Sequence, residues 1–195
     1  MSRDGHVDLD LDGTTYRFRL ALGDLEALQE VTGQGPAELL HRFHAGRRYR
    51  FRDVRDTLRV GLIGGGTPVP RAHAVARRLD GLPCIPLIAR AALVLAAGLE
   101  GTEEEPVGRA GAAAGADGRI AFAAFYAAAA AMGLGPAEMR AMSLWQFAAY
   151  LDGFNRAHDP AAAAPLTAAE EDALWAWLQG GAPGAPEGHP EEDAP

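Results

Sequence analysis

The chain has 195 residues, 48% of them apolar and only 7% aromatic, with a formal charge of −8. That length suits one ordinary domain or two small ones, and a single cysteine, Cys84, excludes an intramolecular disulfide. The longest apolar stretches, Ile85–Leu99 and Ile120–Met132, are too short and alanine-rich to cross a membrane.

Much of the apolar fraction is alanine, which buries little area. A thin core is therefore expected, with a partner supplying some of the burial. Residues 1–99 carry 14 Arg against 11 Asp and Glu, whereas residues 100–195 carry 4 against 15. This asymmetry predicts two modules with different surfaces. Met1–Asp12 is acidic and polar, unlike a secretory signal, so the expected location is the cytoplasm of a bacterial cell.

In chain order, Val7–Leu11 and Tyr16–Leu20 alternate apolar and polar residues around Asp12-Gly13, a pair suited to a type I′ turn. A β-hairpin is predicted there, packed on the helices after it. Asp24 is placed to cap a helix to Thr32, with Leu25, Leu28 and Val31 on its apolar face. Pro36 opens a second helix bearing Leu39, Leu40 and Phe43, closed by Gly46. Asp53 is placed to cap a third with Val54, Leu58 and Leu62, and Gly64-Gly65-Gly66 ends it. Pro70–Leu79 and Ile85–Leu99 read as two more.

Residues 100–118 lack an apolar period and read as a linker. Beyond it, Phe122, Phe125, Tyr126 and Ala129 form a helical stripe, and Pro136–Ala141 a short helix. Ser143 and Gln146 form a capping box, with Met142 and Phe147 at the two staple positions. Their helix runs to about Arg156, with Leu144, Phe147, Ala148, Leu151 and Phe154 on one face. Thr167 and Glu170 form a second box, opening a helix that carries Leu174, Trp175, Trp177 and Leu178. The predicted fold is mainly α. A short N-terminal hairpin packs on a small helical domain (1–99), followed by a flexible linker (100–118), a second small helical module (119–179) and a disordered tail (180–195).

No set of residues for catalysis stands out, and the expectation is no enzyme, no cofactor and no metal. His41 and His44 sit at helical spacing, but a metal needs three or four ligands. The triple glycine lacks the lysine and serine of a phosphate loop, and Cys84 has neither a base nor a basic setting nearby. Arg47, Arg48, Arg50, Arg52, Arg55 and Arg59 form a basic cluster with Tyr49 and Phe51 interleaved. Asp53 and Asp56 interrupt it in an acidic chain, so a solvated face or one meeting an acidic protein is expected rather than nucleic acid. Aromatic side chains without an internal place are interface candidates. The candidate partner-binding residues are Trp145, Tyr150, Trp175 and Trp177, with Arg48 and Arg52 from the basic cluster.

The stretch Leu11–Ala97 resembles the short tail-cluster protein of gene transfer agents. The resemblance is carried by Asp12-Gly13, Tyr16–Leu20, Leu22–Leu28, Pro36–Leu40, Phe51–Val54 and Leu58–Leu62. That family is described both as tail-tube-like and as a tail assembly chaperone. Phe122–Ala157 is similar to a second family, the small tail assembly chaperones, through Met132–Leu134, Pro136, Met142–Phe147 and Gly153. Leu144 stands where a proline is common. The resemblance implies a phage-type tail assembly chaperone that binds the tape measure protein and keeps it in solution until tube subunits replace it. Partners would be the tape measure protein and tail tube subunits, with self-association as a further option and no membrane. The alternatives are a structural, tube-like tail component and a small nucleic-acid-binding regulator.

Overall fold

A computed structural model describes residues 2–46, 49–100 and 117–158. Within these, the protein is mainly α with one N-terminal hairpin. Strands β1 (His6–Leu11) and β2 (Thr14–Arg19) are followed by helices α1 (Leu22–Thr32), α2 (Pro36–Ala45), α3 (Phe51–Gly64), α4 (Val69–Arg78) and α5 (Cys84–Glu100). A single 3-10 turn, Leu79–Gly81, separates α4 from α5. After the gap come α6 (Phe122–Ala131), α7 (Pro136–Ala141) and α8 (Leu144–His158). The chain divides into compact units at Met1–Phe154 and Asn155–Pro195, and of the second unit only the last turn of α8 is described. The second capping box, Trp175, Trp177 and the expected tail lie outside the described residues, as does nearly all of the expected linker.

The hairpin forms where the sequence places it. Asp12 and Gly13 take φ of 56° and 76°, the two positive values a type I′ turn requires, and Leu11 pairs with Thr14. The alternation then turns Leu11 and Phe18 to the core and Asp8, Asp10 and Arg17 to solvent.

Asp24 and Asp53 lie one turn further inside their helices than expected. The N-caps are Ala21 and Arg50, and each aspartate sits at the third helical position. Asp24 accepts the Ala21 amide at 2.9 Å and Asp53 the Arg50 amide at 3.3 Å. Each therefore supplies only the back-reaching half of a capping box, since neither Ala21 nor Arg50 offers a side-chain oxygen. Gly33 and Gly46 end α1 and α2 in the left-handed conformation (φ 69° and 61°).

The core beneath the hairpin is not thin. Phe18, Leu20, Leu25, Leu28, Leu39, Val54, Leu58, Leu62 and Leu95 are all inaccessible, and they form one cluster around α3 and α5. Alanine helps here by letting helices approach closely: Ala91 of α5 and Ala72 of α4 are fully buried in the same cluster. Glycine does so too. A Cβ on Gly61 would lie 2.9 Å from Val94 Cγ1, and one on Gly65 would lie 2.0 Å from the Arg17 carbonyl oxygen. The expectation of a thin core holds only after residue 117. There Phe125, Ala129, Met139 and Phe147, joined by Leu22 of α1, form a small buried apolar cluster against eight partly buried neighbours.

Candidate partner-binding site

Helix α1 is covered on two sides. Leu25 and Leu28 face the main core, while Leu22, Glu26 and Gln29, one turn apart on another face, receive residues 117–154. Gln29 holds the backbone of Ile120 at both ends, donating to its carbonyl (3.1 Å) and accepting its amide (2.8 Å). Glu26 takes the Tyr126 hydroxyl at 3.1 Å and pairs with Arg140 at 3.3 Å. Leu22 donates its amide to the Met142 carbonyl (2.9 Å), and Arg19 donates to that of Ala141 (2.7 Å). Burial pushes the Asp24 carboxyl above its ordinary value, and its bond from Ala21 and the nearby Arg19 and Arg140 offset this only in part.

The start of α8 follows the expected capping box. Gln146 donates its amide to Ser143 Oγ (3.0 Å), and Ser143 donates its own to Gln146 Oε1 (2.9 Å). The hydroxyl of Ser143 also donates to the Arg3 carbonyl at 2.6 Å, tying α8 to the N-terminal segment. Phe147 is buried, its ring 5.0 Å from that of Phe125. Leu144, Ala148, Leu151 and Phe154, on the same face, are only half-buried, and Tyr150 is 48% exposed. The α6–α8 segment therefore presents a partly filled apolar face.

Three of the six candidate residues are described. Trp145 is half-buried with the Arg3 guanidinium 6.0 Å from its ring centre, and Tyr150 stands exposed on the same helix. Arg52 lies on a different helix, α3. Arg48, Trp175 and Trp177 are outside the described residues. The four described arginines of the basic cluster are matched by carboxylates within their own neighbourhood. Arg50 pairs with Asp53 (3.2 Å), Arg52 and Arg59 with Asp56 (3.4 and 3.3 Å), and Arg55 with Asp80 (3.4 Å). Asp53 and Asp56 are themselves buried. A polyanion would have to displace contacts already made.

Periodicity points to Leu25 and Leu28 but misses Gln29 and Glu26. The available signal is Leu22, Glu26 and Gln29 at one-turn spacing, which reads as an ordinary solvated face. Cys84 is half-buried against the core. His41 and His44 are exposed, and no three potential metal ligands gather among the described residues. A cleft of about 330 Å³ beside α2 is lined by Gln34, Glu38, Arg42, Asp117 and Arg119. Its central charges are already engaged, Arg42 with Glu38 at 2.7 Å. No helix among the described residues is long and apolar enough to cross a membrane.

Among the described residues, fold and surface define a helical protein with one β-ribbon, an arginine face whose described members are matched by nearby carboxylates, and a half-covered aromatic helix pair. The chain belongs to the family described as phage tail tube protein, GTA-gp10, whose model matches residues 4–101, half of the chain. It is thus a tail protein of the phage and gene transfer agent type. Neither the curated proteins nor the solved structures gave a match.

Proposed function

We propose that this protein is a non-enzymatic component of the tail tube apparatus that joins other tail subunits through the half-covered face of α6–α8. The observation that carries the reading is the family match over the hairpin and α1–α5, since the family is described by the tail tube. The face itself supports it. Leu144, Leu151 and Phe154 are half-buried and Tyr150 is exposed, a pattern that suits packing of another helix or strand across it.

A second reading has the geometry on its side. A tube subunit needs long strands to continue a sheet around a ring, and the described residues hold one two-stranded ribbon among eight α-helices. A helical tail assembly chaperone that binds the tape measure protein would need no such sheet. The similarity of Phe122–Ala157 to small tail assembly chaperones supports that reading as well. The family description supports the structural reading more directly.

Quantitative mass spectrometry of purified particles separates the two. A structural component is present at a copy number comparable with the tube subunit. A chaperone is absent from the particle and co-purifies with the tape measure protein from assembling cells.

A further inference from the structure

A two-stranded sheet has two outer edges, and an open strand edge is a template for pairing with another chain. The type I′ turn makes Leu11 and Thr14 the hydrogen-bonded closing pair. Strict alternation then turns the backbone groups of Leu11, Leu9 and Val7 toward β2, and those of Asp10, Asp8 and His6 outward.

Both ends of that outward row are occupied. The His6 amide donates to Ser2 Oγ at 2.8 Å, and the same hydroxyl donates to the His6 carbonyl at 2.8 Å. One serine side chain thus supplies both groups that a neighbouring strand would supply. At the other end, Arg90 of α5 donates to the Asp10 carbonyl at 2.6 Å. The opposite edge is shut by packing. A Cβ on Gly65 or Gly64 would stand 2.0 or 2.3 Å from the outward carbonyls of Arg17 and Arg19, so α3 lies directly against β2.

The segment that carries Ser2 is anchored. Gly5 closes a turn by donating to the Ser2 carbonyl (3.1 Å) and takes φ 73°. Arg19 Nε donates to the Asp4 carbonyl at 2.8 Å, and Ser143 Oγ to that of Arg3 at 2.6 Å. A segment with no helix or strand of its own is thus held by β2 and by the start of α8.

We propose that Ser2–Gly5 is an edge guard: with Arg90 it occupies both outward groups of His6 and the outward carbonyl of Asp10, and so prevents strand addition to β1 by a second copy of this chain. Asp8, at the centre of the row, reinforces the guard, because an antiparallel copy centred there would set Asp8 against its own equivalent. This proposal stands apart from the tail reading, since it follows from the hydrogen bonds around β1 alone.

The test uses the full chain carrying Ser2→Ala and Arg90→Ala together. Analytical ultracentrifugation from about 5 to about 200 μM, a range in which weak strand pairing becomes populated, is expected to show concentration-dependent association beyond that of the wild type. Adding Asp8→Pro to the double variant is expected to abolish the extra association. Proline there removes an outward donor while leaving the β1–β2 ladder intact. A folded double variant that sediments like the wild type overturns the proposal, as does extra association that survives Asp8→Pro. The His6 amide also reaches Asp4 Oδ1 at 3.4 Å, so if the double variant does not fold, amide exchange in Ser2→Ala combined with Asp4→Ala decides. The expected result is exchange at His6 faster by about tenfold, the loss of one hydrogen bond of ordinary strength, with Val7 and Leu9 unchanged. An unchanged His6 rate overturns it.

Discussion

Ser143 and Arg3, 140 positions apart, are joined by a 2.6 Å hydrogen bond from the serine hydroxyl to the arginine carbonyl. The same hydroxyl accepts the Gln146 amide that caps α8. One side chain thus starts a helix and fastens it to the segment that leads into the hairpin.

Replacing Ser143 with alanine removes both bonds. A lost cap costs about 1 kcal/mol, and the part-buried hydrogen bond to the Arg3 carbonyl contributes a comparable amount. Chemical denaturation of Ser143→Ala is expected to show a loss of about 2 kcal/mol. Threonine, which keeps the hydroxyl, should recover most of it. Equal stability of the alanine variant and the wild type would show that neither bond counts.

The two clusters should respond differently to truncation. Phe18 is fully buried in the larger cluster, so Phe18→Ala is expected to cost about 3–5 kcal/mol and to loosen the whole unit. Phe147 belongs to the small cluster. Phe147→Ala is expected to raise hydrogen exchange in α6–α8 while amides of α3 and α5 keep their protection. Uniform loss of protection in both variants would show that the clusters unfold together.

Gln29 is buried and serves the Ile120 backbone at both ends. Gln29→Leu fills the space but leaves an amide and a carbonyl unpaired, a cost of about 1–3 kcal/mol for each group that water does not reach. The expected result is faster exchange at the Ile120 amide, read by NMR, with little change in α5. An unaltered Ile120 amide would mean that this junction is held by apolar contacts alone.

Asp24 gives a pH dependence of known sign. Burial raises its folded pKa above the 3.8 of the free group. Between 3.8 and the folded value the native state holds more protons than the unfolded one. The contribution of Asp24 to stability is therefore full below 3.8 and declines as pH rises through that window. Asp24→Asn can still accept the Ala21 amide and carries no charge. The difference in stability between variant and wild type should move in favour of the variant as pH rises from about 3.5 to neutrality. A difference that moves the other way would show that Arg19 and Arg140 outweigh burial.

Much of this architecture is legible in the sequence because its signals are local. Asp12-Gly13 dictates a turn within two residues, and Ser143 with Gln146 marks a helix start within four. Other features depend on residues far apart. The second covered face of α1 is hidden because a helix buried on two sides has no sharp apolar stripe, and Gln29 looks like any solvated polar residue until Ile120 arrives. The arginine cluster misleads for a related reason. Its sequence shows Asp53 and Asp56, but not that these carboxylates are buried against Arg50, Arg52 and Arg59. Alanine content suggests a thin core, yet Ala72 and Ala91 let α4 and α5 pack closely into the main cluster. The six candidate contact residues share only their side-chain types, which is why those described fall on two separate helices.

Association with tail subunits through α8 is the claim on which the functional account turns, and size-exclusion co-elution of the full chain with the cognate tube subunit tests it most directly. The account predicts a complex at micromolar concentration that Tyr150→Glu weakens at least about tenfold, the equivalent of roughly 1.4 kcal/mol. Separate elution of the two proteins, or a complex indifferent to charge at Tyr150, would contradict it.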